Sequence, residues 1–131
     1  MPEVNWLAVL AAAISAFLLG GLWYSPALFG KAWQRGAGLT DEQLKGGNPG
    51  KIYGGAFVFS LVAAATFAMF LGKVPAGTAT AYGLCAGLTW VAASFGINYL
   101  FERKSLTLFL VNGGYHTIQF TLYGLILGLW H

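Results

Sequence analysis

Charged side chains are scarce in this sequence of 131 residues: four Asp or Glu and seven Lys or Arg make up 8% of it, against about 25% in an ordinary soluble domain. None falls within 4–30, 52–72, 74–101 or 105–131. Each of these runs is at least as long as the roughly 20 apolar residues that cross a bilayer. None could give a helix the polar face that water requires. The scarcity excludes a water-soluble helical bundle and predicts four membrane spans.

Cysteine and histidine are also rare. Cys85 is the single cysteine, which excludes an intrachain disulfide and a multi-cysteine metal site. His116 and His131 are too few for a three-histidine centre within one chain. No phosphate-binding Gly-rich loop and no G-x-S-x-G motif occurs, and no acidic residue lies inside a predicted span. We therefore expect no enzyme activity, no metal and no cofactor; a metal or haem ligand at His116 is a minor alternative.

The spans are predicted at about 4–24, 52–71, 78–101 and 106–130, within one domain, 1–131. They are predicted as helices, because backbone groups in hydrocarbon must be bonded within the segment. Short links join the second span to the third and the third to the fourth, so consecutive spans are expected to be antiparallel neighbours. The predicted fold class is all-α integral membrane, an antiparallel bundle of four transmembrane helices.

Basic residues predict the orientation of the spans. Six of the seven Lys and Arg lie in the loops 25–51 and 102–105, and Lys73 lies on the opposite side. Cytoplasmic loops are enriched in Lys and Arg, which predicts an inner-membrane protein with both termini on the outer side. The basic residues form no stripe suited to nucleic acid. The expected partner is therefore the lipid bilayer, with no nucleic acid.

The first cytoplasmic loop, 25–51, is predicted to contain two short helices. Ser25-Pro26 is typical of an N-cap followed by a first helical residue, which predicts a helix to about Arg35 that lies in the headgroup plane. The four residues Thr40 to Gln43 have capping-box spacing, which predicts a second helix. The Gly- and Pro-containing segment 46–50 then separates this loop from the second span.

Small residues recur at intervals of four on all four predicted spans, and such stripes permit close helix packing in lipid. They pack either within one four-helix bundle or between copies of the chain. Because four short helices bury few residues per chain, we expect a homo-oligomer. The stripes are Ala12, Ala16 and Gly20; Ala56, Ser60, Ala64 and Ala68; Gly83 and Gly87; and Gly124 and Gly128.

Polar residues of the fourth span share one helical face near the middle of the membrane. Such groups either fix the register of helices through hydrogen bonds or line a ligand or ion pathway. On the third span, Ser94 and Asn98 fall on one side, and the hairpin could bring the amides of Asn98 and Asn112 together. The candidate lining residues are Asn98, Asn112, His116, Gln119 and Tyr123.

Three segments resemble one known family: 5–9, 112–116 and, above all, 19–33, which contains W-Y-S-P-A-L-F-G-K-A-W. The chain is similar over nearly its whole length to small bacterial membrane proteins grouped as domain of unknown function 1761. The resemblance implies a four-helix inner-membrane protein and brings no established activity or ligand. It also directs attention to an interfacial turn motif, either a structural anchor or a lid or partner site, formed by Trp23, Tyr24, Ser25, Pro26, Gly30 and Trp33.

Two hypotheses follow for the function. In the first, the protein is a homo-oligomer that binds or conducts a small solute or ion along the polar stripe. In the alternative, it is a non-transporting membrane scaffold or interaction module that associates with lipids or other membrane proteins through its small-residue stripes and basic loop.

Overall fold

The computed structural model describes residues 4–131, and all regular secondary structure in that part of the chain is helical. The third long helix is continuous over Ala76–Glu102, with a π-helical segment in its middle. The elements in order are α1 (Trp6–Trp23), α2 (Gly30–Ala37), α3 (Asp41–Lys45), α4 (Pro49–Leu71), α5 (Ala76–Cys85), the π segment Ala86–Ala92, α6 (Ala93–Glu102) and α7 (Leu106–Leu129).

Three helices among the described residues are long and apolar enough to cross a membrane: Trp6–Trp23, Pro49–Leu71 and Ala76–Glu102. The fourth predicted span forms α7, which has 24 residues and so a length of about 36 Å. It is less apolar than the others because it contains the polar stripe. Length and composition thus suggest a membrane-embedded helical protein with three long apolar helices among the described residues.

A helix covering Arg35 is present, but its predicted start at Ser25-Pro26 is wrong, because α2 begins at Gly30, four residues after Pro26. The Ser25 hydroxyl donates to the Leu22 carbonyl at 2.7 Å instead of capping a new helix. The chain turns here through backbone bonds such as the one from Phe29 N to Trp23 O, 3.0 Å long. Pro26 is therefore part of the turn that follows α1, and it is not the first residue of a helix.

Side-chain caps stand at the starts of four other helices, α1, α3, α4 and α7. The predicted capping box is confirmed: Thr40 Oγ1 accepts from Gln43 N, and Gln43 Oε1 accepts from Thr40 N. Asn48 caps α4, whose first residue is Pro49, three residues before the predicted start of the second span. Ser105 caps α7 by accepting from Leu108 N at 3.1 Å.

The central helix is α7, which contacts α1, α2, α4 and all three parts of the Ala76–Glu102 helix. The predicted packing of the second span against the third is wrong: α4 packs mainly on α1, and no extensive contact joins α4 to α5 in the part of the chain described. The link after Gly72 is short but leads α5 away from α4, and α7 takes the neighbouring position.

The small-residue stripes are used inside the chain. A Cβ on Gly83 would overlap the Phe120 carbonyl oxygen, and one on Gly124 would overlap the Ala79 carbonyl oxygen. The α5 and α7 backbones therefore touch, as they do in glycine-mediated membrane contacts. On the other side, Ala16 of α1 and Ala64 of α4 are fully buried in the same core as Tyr123. Most residues of these stripes accordingly make contacts within one chain, whereas Ala56 is exposed.

The π segment Ala86–Ala92 shifts the register of the third long helix. A π turn bonds residue i to i+5 and so contains one more residue than an α turn. Gly83 and Gly87, both close to α7, are four positions apart. Ala92, which lies against Gly113 of α7, is five positions beyond Gly87. Beyond the π segment, the helix face toward α7 is therefore displaced by one residue from a regular α-helix.

Deleting Leu88 is expected to leave the fold intact. Leu88 is exposed and lies in the π turn, so its loss gives an α turn and keeps the residues that follow on the face toward α7. Deleting Ile97, exposed in regular α6, is expected to rotate Tyr99 by about 100°. Circular dichroism melting in detergent should show a Tm drop of about 3 °C for the first deletion and about 8 °C for the second. Equal drops would contradict this account of the register.

Candidate functional site

A chain of buried hydrogen bonds joins α7 to α4. Ser60 Oγ lies 2.6 Å from the hydroxyl of Tyr123, which also donates to the Ser60 carbonyl at 3.2 Å. Gln119 Nε2 donates to the same hydroxyl at 2.7 Å, and Gln119 Oε1 lies 2.5 Å from His116 Nδ1. Ser60, Gln119 and Tyr123 are buried, and Tyr123 is 0% exposed. Three of the predicted lining residues thus form one network, which we call the His116 network.

The directions of these bonds fix the role of each nitrogen of His116. Gln119 uses its amide NH₂ on Tyr123, so its carbonyl oxygen faces the imidazole and must accept a hydrogen there. Nδ1 of His116 is therefore the donor. In a neutral imidazole the other nitrogen, Nε2, then carries the lone pair. No described residue bonds Nε2, so the network ends in an available hydrogen-bond acceptor.

The imidazole of His116 is held in place by aromatic rings. Phe95 of α6 stacks on it at a centroid distance of 5.0 Å and an interplanar angle of 11°. Tyr115 approaches edge-on at 5.0 Å. The backbone at His116 is close to Gly87, where a Cβ would lie 2.7 Å from the His116 carbonyl oxygen. The side chain is partly buried, so it is oriented yet reachable. Among residues 4–131, no three His, Cys, Asp or Glu side chains assemble as a metal site.

Asn112 belongs to a second group of hydrogen bonds, which shares ring contacts but no hydrogen bond with the His116 network. Its Oδ1 accepts from the Tyr24 hydroxyl at 2.6 Å, and its Nδ2 donates to the Tyr99 hydroxyl at 2.7 Å. The Tyr24 ring also packs on Tyr115, with centroids 5.4 Å apart. Asn112 thereby ties the end of α1 to α6 and to α7. The predicted single stripe on the fourth span divides into a register-fixing cluster at Asn112 and the His116 network.

The predicted pairing of Asn98 with Asn112 is wrong. Asn98 and Ser94 are exposed, whereas their neighbours Tyr99 and Phe95 contact Asn112 and His116. The displacement is one residue in both cases, as the extra residue of the π turn requires. The prediction assumed 3.6 residues per turn throughout the third span. A pathway lined by Asn98 has no geometric support.

The turn after α1 is docked on α7. Trp23 Nε1 donates to the Val111 carbonyl at 2.9 Å, and the Trp33 ring packs edge-on against Tyr24 at 5.9 Å. A Cβ on Gly30 would overlap the Tyr24 carbonyl oxygen, so glycine is required for this close approach. The motif residues thus serve as an anchor between helices, whereas their sequence predicted an anchor at the membrane interface. Ser25 and Pro26 lie in the turn itself.

Three residues of these clusters were not predicted as site residues: Ser60, Phe95 and Tyr99. Ser60 was predicted as one member of a small-residue stripe, and only the depth at which α4 crosses α1 and α7 brings it to Tyr123. Phe95 and Tyr99 follow the π turn. A search for aromatic residues one position beyond the expected face would have found both of them.

The model of one family, described as "Protein of unknown function (DUF1761)", matches residues 7–128. The chain belongs to that family, and the match covers nearly all of it. No curated protein and no solved structure matches the chain.

Proposed function

We propose that this protein spans the cell inner membrane four times, with both termini on the outer side, and binds a small membrane-soluble molecule at His116. The topology is supported by three apolar helices and by the length of α7. The orientation is supported by the six Lys and Arg of the loops 25–51 and 102–105.

One observation carries the binding proposal: the His116 network ends at Nε2, an acceptor with no partner among the described residues. Polar groups in hydrocarbon are costly when unpaired. A lone pair held in one orientation by Gln119 and Phe95 therefore favours a ligand with a hydrogen-bond donor, such as a phenol or an amide, on an apolar body.

Binding is favoured over conduction. Gln119 and Tyr123 are buried and bonded to each other and to their neighbours, so an ion or water path along this face would have to break those bonds. Self-association remains part of the proposal. It would use exposed faces such as that of Phe59 and Phe70 on α4, since the small-residue stripes pack within the chain.

Nitrogen NMR of protein labelled in its two histidines tests the site. The probe is 4-octylphenol in detergent micelles, and its methyl ether, which has no donor, is the control ligand. The phenol is expected to shift the Nε2 resonance of His116, and the ether is not. His131, exposed near the end of the chain, serves as an internal reference, and His116→Phe assigns the signal.

Gln119→Leu removes the bond that orients the imidazole and is expected to weaken phenol binding at His116 about tenfold, the equivalent of one lost hydrogen bond. The proposal is wrong if the phenol and the ether shift the Nε2 resonance of His116 equally, or if Gln119→Leu binds the phenol as tightly as the wild type does. Hydrogen bonding for helix register would then be sufficient to explain the network, and the non-transporting interaction module would be the better hypothesis.

A further inference from the structure

A cleft distinct from the His116 network lies at the end of the protein that carries the basic loops. Its volume is about 620 Å³, within the usual range for ligand sites. Part of its lining is α2, which contributes Arg35 and Gly36. The rest is residues 102–105 and Thr107, at the end of α6, in the link and in the first turn of α7. We refer to it as the basic cleft.

The basic cleft has a net positive charge. Arg35, Arg103 and Lys104 line it together with one carboxylate, that of Glu102, which leaves two positive charges in excess. In the part of the chain that the structure describes, no ion pair links Glu102 to these three cations. The cations are therefore available to an anion that enters the cleft.

The N-terminus of α7 adds to this charge. Ser105 and Thr107 line the cleft, so the first turn of the 24-residue helix opens into it. The Ser105 oxygen caps Leu108 N, which leaves other first-turn amides without intrahelical partners. Such amides and the positive end of the helix dipole favour anions, phosphate in particular.

Backbone geometry at Arg103 points to the same role. Arg103 has φ 57° and is the one positive-φ residue other than glycine among residues 4–131. It ends α6 in the left-handed conformation, for which glycine is the usual choice. A side chain kept at a position of this kind is often there for function, and the Arg103 side chain lines the cleft.

The position of Arg35 is set by a close helix contact. A Cβ on Gly36 would lie 2.8 Å from the Leu108 Cβ, so α2 can approach α7 this closely only with glycine. Leu108 is buried. This contact fixes α2 on α7 and so holds Arg35, the neighbour of Gly36, in the same cleft as Arg103 and Lys104.

We propose that the basic cleft binds a phosphate group that carries net negative charge. Two guanidinium groups, an ammonium group and a helix N-terminus together suit an anion with several oxygens. The volume exceeds what a single phosphate needs and leaves room for an attached group. The same chemistry is offered by the headgroup of an anionic phospholipid and by soluble phosphate, and the experiment separates these two sources.

The test is thermal melting of the purified full chain in detergent with three additives: short-chain phosphatidylglycerol, short-chain phosphatidylcholine and inorganic phosphate. Phosphatidylglycerol is expected to raise Tm more than zwitterionic phosphatidylcholine does. If inorganic phosphate at the same concentration gives an equal rise, the proposal also holds, and the source is soluble phosphate.

The variants identify the cleft as the site. Arg35→Gln combined with Arg103→Gly removes two cations, and glycine suits the backbone at 103. Apparent affinity for the anion is expected to fall on the order of tenfold or more. Lys31→Gln removes one charge, as Arg35→Gln alone would, from an exposed position of the same helix, α2, outside the cleft lining, and is expected to bind the anion as the wild type does.

Should the double variant not fold, Lys104→Gln, an exposed position in the link between helices, is expected to weaken binding by several-fold. The proposal is overturned if neither anion raises Tm above the phosphatidylcholine value. It is also overturned if the cleft variants and Lys31→Gln lose binding equally.

Discussion

Gly124→Ala is expected to destabilise the protein by about 3 kcal/mol, near the upper end of the cost of inserting a methyl group into a packed core. The new Cβ would overlap the Ala79 carbonyl oxygen and lie 2.8 Å from the Ala79 carbonyl carbon. These are backbone atoms of α5 and cannot move aside as a side chain can. The helices α5 and α7 would have to separate, and unfolding in mixed micelles by SDS titration measures the loss.

Gly77→Ala is the matched control for that substitution. Gly77 lies on α5, as Ala79 does, but a Cβ there would meet no atom within 4 Å. Alanine favours helix over glycine, so this variant is expected to be as stable as the wild type or slightly more so. If both variants lose equal stability, close backbone packing is not the reason that glycine occupies 124.

Tyr123→Phe is expected to lower the free energy of unfolding by about 2 kcal/mol, which is within the range for leaving buried polar groups unpaired. The hydroxyl accepts from Gln119 and pairs with Ser60, and neither side chain is exposed enough to bond water instead. Many polar contacts between membrane helices contribute less, about 0.6 kcal/mol on average. The full burial of Tyr123 is the reason for the larger value here.

A double-mutant cycle with Ser60→Ala tests whether the pair acts together. Each single variant leaves a partner unpaired, so the double variant is expected to be more stable than the sum predicts by about 0.5–1 kcal/mol. Tyr82→Phe, at an exposed tyrosine of α5, is the control and is expected to stay within about 0.5 kcal/mol of the wild type. Strict additivity in the cycle would mean that Ser60 and Tyr123 do not interact in solution.

The predicted helices were accurate where local chemistry sets their limits. The fourth predicted span, 106–130, begins at the same residue as the observed helix Leu106–Leu129, because Ser105 caps that end. The two differ by one residue at the other end. The box between Thr40 and Gln43 starts α3 as its spacing predicts. In both cases the deciding interactions lie within four residues of the helix start, so the sequence contains all the information that is needed.

The candidate site was predicted only in part. His116, Gln119 and Tyr123 share a face of one helix and therefore meet as their spacing predicts. The predicted position of Asn98 was wrong because it was counted across a π turn as if the helix were regular. The sequence of Ala86–Ala92 gives no evident local signal for that turn. This segment packs against α7, where Gly87 lies close to the His116 backbone. That contact joins distant parts of the chain, so a local sequence pattern does not reveal it.

The sequence by itself determined the local elements and indicated their surroundings. Long runs without charge favour hydrocarbon over water, and caps determine where four of the helices begin. Only the tertiary structure decided that α7 lies at the centre, that α4 packs on α1, and that Tyr99 takes the place expected for Asn98. These outcomes depend on which backbones can approach each other most closely, and that is a property of pairs of helices and not of any one segment.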